Sequence, residues 1–325
     1  MRKDKLNLLI KQGQQFSPVY KINGKITVSN HLPMCLYARY KLGASTDELQ
    51  QFFDNYIKKL EPKKSNSNPF DWKESLGTYS HNSEYIAFFK LKLQELGKAN
   101  LLKEFLPLLF KGVGAGAFHP LIRLGFALEM DNEDEIVESL AAWAMSFLPL
   151  KSNEKKTNET IPEILTRLSN DLFDANTYRV PTVYKRMVKA NQDPFFQEHL
   201  RIPTPIDLKT ISQAALKIFR SHPSFACIHL VTSTHALRLV LPYLEKPQVA
   251  FESFWLAFIS VYVSEGAPKI NLLQNNQPQS WNTLSSKATS SNNDHWCKIV
   301  YTCCEEEKFY GSEDYLKAAH LLLFQ

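Results

Sequence analysis

The chain has 325 residues, of which 44% are hydrophobic and 12% aromatic, and this composition excludes disorder over most of its length. The 38 basic and 33 acidic residues give a formal net charge of +5. This small excess is spread along the chain, and the densest basic stretches, 58–64 and 151–156, lack the interleaved aromatic residues of a base-stacking groove. We therefore predict no nucleic-acid partner.

Secretion and membrane insertion are also disfavoured. The apolar piece near the N-terminus, residues 6–10, is too short for a signal peptide, and the apolar window 249–263 contains Glu252 and is shorter than the roughly 18 residues that span a bilayer. The cysteines are odd in number and form no CxxC pair, which indicates reduced thiols. We predict a soluble, cytoplasmic protein without a membrane partner, and the oligomeric state stays open.

Taken in chain order, the sequence shows one strand signal and then mostly helical periodicity. Residues 25–28 follow Asn23-Gly24, which predicts a β-hairpin with residues 18–22. An apolar helix follows His31, and Ser45-Thr46-Asp47-Glu48 predicts an acidic cap at the start of the next amphipathic helix. The later predicted helices are 83–96, which ends at Gly97, and 101–110, 119–129, 133–147, 207–220, 225–241, 251–264, 295–305 and 312–324.

The predicted fold class is all-α. Two polar stretches, about 151–160 and 274–294, are expected to be long surface loops. Because no Pro- and Gly-rich linker separates two independent cores and no internal repeat is present, we predict a single large helical domain over residues 1–325. The β-hairpin is expected to be small and peripheral.

Common local catalytic signatures are absent from the sequence. It contains no HExxH, GxSxG or GxxxxGK[ST] motif and no four-cysteine zinc pattern. The run Gly112-Val113-Gly114-Ala115-Gly116 follows a leucine-rich helical segment, so it does not fit a strand, glycine turn and helix unit for a dinucleotide. We interpret it as a close-packed helix junction, where the missing side chains let the backbone approach another element or a ligand.

Two histidines lie at predicted helix starts beside apolar residues. His31 immediately precedes an apolar helix, and His119 precedes Pro120, a residue suited to the first helical turn. Burying an imidazole without a hydrogen bond costs free energy, so each ring needs a partner in the core. A histidine that bonds a carbonyl and a histidine that binds a metal both satisfy this requirement, and one position alone does not distinguish them.

The remaining histidines of interest lie on two helices. His229 and His235 are six residues apart, so they project about 120° apart and do not share one ion. His295 and Lys298 are three residues apart and share one helical face, and Asp294 is expected to cap their helix.

Together these segments resemble the questin oxidase-like family, which includes fungal enzymes of anthraquinone and aflatoxin-type polyketide metabolism. The resemblance extends over nearly the whole chain and depends on the order and spacing of several short motifs. They are His31-Leu32-Pro33-Met34 with Leu42-Gly43-Ala44, Phe118-His119-Pro120-Leu121-Ile122-Arg123-Leu124-Gly125, Val231-Thr232 with His235-Ala236-Leu237-Arg238, and Asp294-His295 with Lys298.

The resemblance implies a non-heme iron centre that uses O2 as co-substrate. Its implied ligands are four imidazoles and a lysine whose side-chain nitrogen is carboxylated by CO2. Four neutral imidazoles and one carbamate oxygen suit Fe(II) and leave a sixth position for O2 or substrate. Carried over to this sequence, the ligands are His31, His119, His235, His295 and Lys298, with His229 as the alternative for one imidazole place.

The implied function is an O2-dependent oxygenase that acts on a small aromatic, anthraquinone- or polyketide-like substrate, with oxidative ring cleavage as the reaction type. The catalytic candidates are Lys298, Arg123 and Arg238, and the two arginines either orient an oxyanion or pair with carboxylates in the structure. NADPH has been associated with reactions of the family, but the sequence has no nucleotide-binding signature, so any reductant is expected to act indirectly. Two alternatives remain, a non-catalytic helical carrier or sensor of a hydrophobic ligand and a scaffold for another protein.

Overall fold

The computed structural model describes residues 1–64, 69–171, 173–272 and 277–324. Within these ranges the regular elements are α-helices, short 3-10 turns and two two-stranded sheets, which confirms the predicted all-α class. In chain order the elements are α1 (Arg2–Gly13), β1 (Val19–Ile22), β2 (Ile26–Ser29), α2 (Leu32–Lys41), α3 (Thr46–Tyr56), α4 (Asn82–Leu109), α5 (His119–Met130), α6 (Glu133–Met145), β3 (Lys156–Thr157), α7 (Ile161–Asn170), α8 (Val183–Gln192), α9 (Pro194–His199), β4 (Ile202–Pro203), α10 (Leu208–Ser221), α11 (Phe225–Val240), α12 (Pro247–Ser264), α13 (Trp281–Ser290), α14 (Asp294–Tyr310) and α15 (Asp314–Phe324).

The chain divides into two compact units. The first comprises Met1–Ser65, Glu129–Asp131 and Leu272–Gln325, and the second comprises Asn66–Leu128 and Asn132–Asn271. The first unit therefore combines the two terminal segments of the chain, and the second is formed by the middle of the chain, interrupted only at residues 129–131. The single domain over residues 1–325 stays a prediction.

In the first unit, α2 is the central helix. Its residues Leu32 to Arg39 are all buried, because the segment is apolar around nearly its whole circumference. It packs against α1, α3 and α14, while α13, α14 and α15 pack against one another. The first unit thus brings the two ends of the chain into one core.

The predicted hairpin is present in the first unit. Strands β1 and β2 pair in an antiparallel register from Val19 opposite Ser29 to Ile22 opposite Ile26. Asn23 and Gly24 at the turn both have positive φ, a backbone conformation that asparagine and glycine adopt more readily than other residues.

In the second unit, α11 and α12 are largely buried and pack against each other. Helix α12 also packs against α8, α10 packs against α11, and α4 packs against α6. The stretch Phe225–Tyr243 is long and apolar enough to cross a membrane, but 72% of its apolar window is buried inside the protein. Such burial is typical of a core helix.

Two predicted helix signals are confirmed in detail. The Ser45 side chain accepts a hydrogen bond from the Glu48 backbone, and the Glu48 carboxylate accepts one from the Ser45 backbone, which closes a capping box at the start of α3. Gly97 interrupts α4 with φ 72° and ψ 162°, a conformation outside the helical region.

The glycine run is a close-packed junction, as the sequence predicts. A Cβ atom placed on Gly112 would lie 2.3 Å from the Phe147 ring, and one on Gly114 would lie 3.1 Å from Met187. The run lies in 3-10 turns between α4 and α5, without the strand that a dinucleotide site requires.

The prediction of a loop over about 274–294 is wrong for residues 281–290, which form helix α13. Helix α13 begins at the Ser280 cap, and its buried Leu284 and Ala288 lie one turn apart and face α14 and α15. Serine, threonine and asparagine dominate the segment, and this composition predicts a loop. Two apolar residues at helical spacing nevertheless suffice to form a helix when they pack against a nearby core. Residues 274–276 lie outside the described part of the chain.

The loop predicted over about 151–160 is confirmed only in part. Its residues Lys156 and Thr157 pair in parallel with Ile202 and Pro203 as the short strands β3 and β4. The sequence analysis also missed four helices, which are α1, α7, α8 and α9. These helices are short, and the amphipathic pattern of α7 and α8 covers only two to three turns.

Candidate functional site

In the first unit, the start of α2 and the start of α14 place four polar residues together. We call His31, Asp294, His295 and Lys298 the first histidine group. His31 immediately precedes α2, and the other three residues lie in the first two turns of α14, which packs against α2. The Cys35 thiol on α2 donates a hydrogen bond of 3.1 Å to the Asp294 carbonyl and fixes the two helix starts to each other.

The Asp294 carboxylate holds both imidazoles of this group. Its Oδ2 lies 3.0 Å from Nδ1 of His31, and its Oδ1 lies 2.8 Å from Nδ1 of His295. The two rings are nearly perpendicular, with centroids 4.8 Å apart. These partners assign the proton of each neutral ring to Nδ1 and the lone pair to Nε2. A carboxylate behind the imidazole is the usual support of a histidine that binds a metal.

The electrostatics of the first histidine group keep its imidazoles neutral at neutral pH. Burial and then the Lys298 charge lower the pKa of His31 to about 3, against the opposing effect of Asp294. Burial and Lys298 also lower the pKa of His295 below its usual value. Burial by itself raises the pKa of Asp294, but the nearby His31 and the bonds to both imidazoles hold that pKa well below its ordinary range. Neutral imidazole is the form that binds a metal ion.

Two residues of the first unit stabilise this arrangement from α3 and the turn that follows it. The Tyr56 hydroxyl accepts a hydrogen bond of 2.9 Å from the His31 backbone and donates one of 3.2 Å to Asp294. Burial raises the pKa of Tyr56 well above its usual value, so the phenol keeps its proton. Lys59 places its ammonium 3.7 Å from the same carboxylate.

Lys298 is buried, with 3% of its surface exposed. It follows His295 by three residues on α14, and its charge lowers the pKa of both His31 and His295. The structure therefore brings together three of the residues that the sequence analysis named as ligands, His31, His295 and Lys298.

In the second unit, two further imidazoles meet. We call His119 and His229 the second histidine group, and their ring centroids lie 4.8 Å apart. Nδ1 of His119 donates to the Gly116 carbonyl, and Nδ1 of His229 donates to the Phe225 carbonyl at 3.0 Å. Each hydrogen bond assigns the proton to Nδ1 and the lone pair to Nε2, the same tautomer as in the first histidine group.

A close helix crossing brings the second histidine group together. His119 is the first residue of α5 and His229 lies on α11, and a Cβ atom on Gly125 would lie 2.8 Å from Cβ of Ala236. Glycine at position 125 is therefore required for this approach. Just before His119, Gly116, Ala117 and Phe118 have φ of 51°, 55° and 67°. The left-handed conformation of Ala117 and Phe118 costs free energy, and such strain is concentrated at functional sites.

His235, the residue that the sequence analysis preferred on α11, has different partners. Its Nδ1 accepts a long hydrogen bond of 3.4 Å from Arg238, and its ring centroid lies 6.4 Å from that of Phe126. A donor at Nδ1 assigns the proton of neutral His235 to Nε2, the opposite of the tautomer found in His119 and His229. Within the second unit, His229 is thus the residue whose ring contacts His119. The sequence resemblance implies His229 as the alternative to His235.

Arg123 pairs with carboxylates, which is one of the two roles that the sequence suggests for it. Its guanidinium donates to Glu135 through Nε at 3.1 Å and through an Nη atom at 2.8 Å, and Glu138 lies 3.8 Å away. All three side chains are buried, so the pair lies in a low-dielectric environment where removing either partner is costly.

The roles of Asp294 and Tyr56 are not predicted from the sequence. Asp294 is expected to cap α14, but Asn293 occupies that position, and its side chain accepts a hydrogen bond from the His295 backbone. The available signal was the position of Asp294, which directly precedes a candidate ligand. Tyr56 gave no such signal, since its spacing on α3 predicts a core residue and its hydroxyl reaches His31 only through the tertiary fold.

The fold and these two groups define an all-helical protein with buried, oriented imidazoles. The family model described as questin oxidase-like matches residues 28–303, and the chain belongs to that family. It is 26% identical over 127 residues to the Baeyer-Villiger oxidase ptaJ of Pestalotiopsis fici, which covers 34% of this chain and 29% of that protein. It is 28% identical over 134 residues to the oxidoreductase AflY of Aspergillus parasiticus, which covers 36% of this chain and 26% of that protein. The matched stretches thus span less than a third of either relative.

Proposed function

We propose that the protein is an oxidoreductase that uses O2 and a non-heme iron ion to oxidise an aromatic, polyketide-like small molecule. The proposed iron ligands are His31, His119, His295 and Lys298, with one further imidazole from α11. The single observation that supports the proposal best is the Asp294 carboxylate, which binds Nδ1 of both His31 and His295. Membership in the questin oxidase-like family gives the class of reaction.

The donor set fits a redox-active divalent metal. His31, His295, His119 and His229 all have Nδ1 at a carboxylate or carbonyl oxygen, so Nε2 is the ligand atom in each ring. Such an imidazole set suits iron better than magnesium or calcium, which prefer oxygen ligands. His235 in its present tautomer fits less well, and we prefer His229 as the imidazole from α11.

Lys298 completes the proposed set as a carbamate. An ammonium does not bind a cation, whereas a lysine that has lost its proton and taken up CO2 offers an anionic oxygen. The positive charge of Lys298 lowers the pKa of both neighbouring histidines. Carboxylation of the lysine replaces this charge with a negative one. We expect a ¹³C-carbamate NMR signal from protein equilibrated with ¹³C-bicarbonate, and its absence from the Lys298→Arg variant. The same signal in both proteins would contradict this role.

Iron of this kind supplies O2 activation when it is bound. The residues of the chain hold the site in its reactive form: Asp294 keeps the protons of His31 and His295 on Nδ1, and Tyr56 donates to the same carboxylate. Burial of the first histidine group excludes water and strengthens these interactions. Arg238, half-buried beside His235, is the proposed cationic group for a phenolate or enolate oxygen of the substrate.

The proposed reaction inserts one oxygen atom of O2 between an aryl carbonyl carbon and the adjacent ring carbon, which opens the ring after hydrolysis. The second oxygen atom leaves as water, with two electrons from a reductant and two protons. One relative is named as a Baeyer-Villiger oxidase, and oxygen insertion beside a carbonyl agrees with that name. An indirect role of NADPH as the source of the electrons is part of the proposal.

The test is an isotope experiment on protein loaded with Fe(II) under argon. The protein is mixed with a hydroxylated anthraquinone, a reductant and ¹⁸O2, and the product is examined by mass spectrometry. We expect a ring-opened product with one ¹⁸O atom from O2, and loss of that product in the His295→Ala variant. His222→Ala is the matched control, because His222 is a half-exposed residue of the second unit that belongs to neither histidine group.

Binding of the anthraquinone without consumption of O2 would contradict an oxygenase. That result would favour the alternative of a carrier or sensor of a hydrophobic ligand. Equal product from the wild type and His295→Ala would contradict the role of the first histidine group.

A further inference from the structure

A second cluster of polar side chains lies at the start of α4 in the second unit. His81 precedes the helix, Asn82 is its first residue, and Glu84 follows within the same turn. His81 is 8% exposed and Asn82 is 9% exposed. None of these three residues belongs to either histidine group, and the proposed oxidation does not use them.

Four polar atoms of this cluster make no hydrogen bond within the described chain. They are Nδ1 of His81, Oδ1 of Asn82 and both carboxylate oxygens of Glu84, and all four are shielded from solvent. Each of these atoms is able to accept a hydrogen bond or bind a cation. Leaving a buried carboxylate without a partner is costly, and native proteins rarely do so without a bound water or ion.

Aromatic side chains lie beside these four atoms. Phe70 lies against His81, with ring centroids 5.7 Å apart, and packs edge-on against Tyr85 at 4.9 Å. The Tyr85 hydroxyl already donates to the Trp72 carbonyl at 2.9 Å. The cluster is an acceptor-rich group beside aromatic rings, and it suits a ligand that is positively charged or rich in donors.

We propose that His81 and Glu84 bind a divalent transition-metal ion. Nδ1 of His81 and Oε1 of Glu84 lie 3.7 Å apart, too far for a hydrogen bond. Two ligands at about 2.1 Å from one ion and at a tetrahedral angle are separated by about 3.4 Å, so a small movement of either side chain closes the site.

The chemistry of the donors selects the metal class. An imidazole nitrogen with a carboxylate favours zinc, manganese or iron over calcium and magnesium. In this proposal water molecules complete the coordination, and Oδ1 of Asn82 accepts a hydrogen bond from one of them. The N-terminus of a helix by itself attracts anions. The proposal therefore depends on the buried acceptor atoms of His81, Asn82 and Glu84 and not on their position at the start of α4.

The test is a count of bound zinc in the full chain. The protein is stripped with a chelator, equilibrated with excess Zn²⁺, passed through a desalting column and analysed for metal per chain. We expect Glu84→Gln and His81→Gln each to lose about one equivalent relative to the wild type. The matched control, Glu74→Gln, changes an exposed carboxylate of the same unit and keeps the full count.

A second arm separates this site from the proposed iron centre. His295→Ala disrupts the first histidine group but leaves His81 and Glu84 intact, so combining it with Glu84→Gln is expected to remove one further equivalent. Equal zinc content in the wild type, Glu84→Gln and His81→Gln, all with native circular dichroism, would overturn the proposal and leave a histidine and carboxylate pair only. Since Glu84→Gln is isosteric, a loss of zinc without loss of helicity supports the site.

Discussion

At the residue scale, Asp294 determines what the first histidine group is able to do. One carboxylate binds Nδ1 of two imidazoles and receives a further hydrogen bond from Tyr56. The proton of each ring is thereby held on the side away from the proposed metal. The sequence predicts His31 and His295 as candidates, but a pairing over 263 residues is visible only in the folded chain.

We expect Asp294→Asn to weaken Fe(II) binding by about 10–100-fold while the fold is kept. The amide is isosteric, but its NH2 group faces one of the two imidazole N–H groups, which forces that ring into the other tautomer. Anaerobic titration with Fe(II) measures the change. Asp47→Asn, which alters an exposed carboxylate in the first turn of α3, is the control. Unchanged affinity in Asp294→Asn would contradict the role of the carboxylate.

The two histidines of α11 give a second prediction at this scale. We expect His229→Ala to lose at least as much Fe(II) affinity as Asp294→Asn, because Nδ1 of His229 donates to Phe225 and leaves Nε2 as the ligand atom. His235→Ala is the matched variant on the same helix, and we expect a smaller loss, since Arg238 faces its Nδ1. A larger loss in His235→Ala would restore the ligand set that the sequence resemblance implies.

At the element scale, close contacts between helices and turns place the second histidine group. Gly125 lets α5 approach α11, and Gly112 lets the turn after α4 lie against Phe147. The sequence predicts that the glycine run is a close-packed junction. The run does not fit a nucleotide-binding motif, so close packing is the physical reason for having several glycines there. The sequence does not predict which side chain fills the space, since that depends on the path of the chain after α6.

Gly112→Ala is expected to destabilise the protein by about 1–3 kcal/mol, because its Cβ would lie 2.3 Å from the Phe147 ring. Urea unfolding measures the change in the free energy of unfolding. The double variant with Phe147→Ala is expected to lose less than the sum of the two single changes, since the clash is then absent. Additive losses would show that the cost of Gly112→Ala arises elsewhere.

Glu265, at the end of α12, connects this helix to α8 and gives a pH prediction. Burial raises the pKa of its carboxyl, but hydrogen bonds from His222 and Ser224 and the charge of Arg186 lower it below the ordinary 4.5. Arg186 donates to Glu265 at 2.6 Å. A carboxyl whose pKa is lowered by folding stabilises the folded state above about pH 4.5, and that contribution is lost as the pH falls further.

Glu265→Gln is therefore expected to cost about 1–3 kcal/mol at pH 7, the size of a hydrogen bond to a charged group. The difference from the wild type is expected to shrink at pH 3.5. Urea unfolding at both pH values measures it. An equal difference at pH 7 and pH 3.5 would mean that the charge of Glu265 has no part in the effect.

At the scale of the whole molecule, the fold class follows from the sequence, whereas the grouping of the segments does not. Helical periodicity predicts α3 together with its cap, and also α10 and α11, because each shows an apolar face over three turns or more. Helix α13 is missed because a polar segment with only two buried apolar residues becomes a helix through its packing. Long-range pairing of α2 with α14 leaves no local pattern in the chain.

The resemblance to the family points to His31, His119, His295 and Lys298, and it gives His229 only as the alternative to His235. His31, His295 and Lys298 are grouped in the first unit, and His119 meets His229 in the second. The choice between His229 and His235 depends on the ring orientation, and the spacing of six residues shows only that the two do not face the same point.

The most direct test of the central claim is the Fe(II) content of the protein, measured after anaerobic loading with bicarbonate. The experiment uses the Glu84→Gln background, so that iron at the start of α4 is not counted. We expect about one Fe(II) per chain in this background and close to none after the further change His295→Ala. Less than about a tenth of an equivalent in the Glu84→Gln protein, or the same content after His295→Ala, would contradict an iron centre built on the first histidine group.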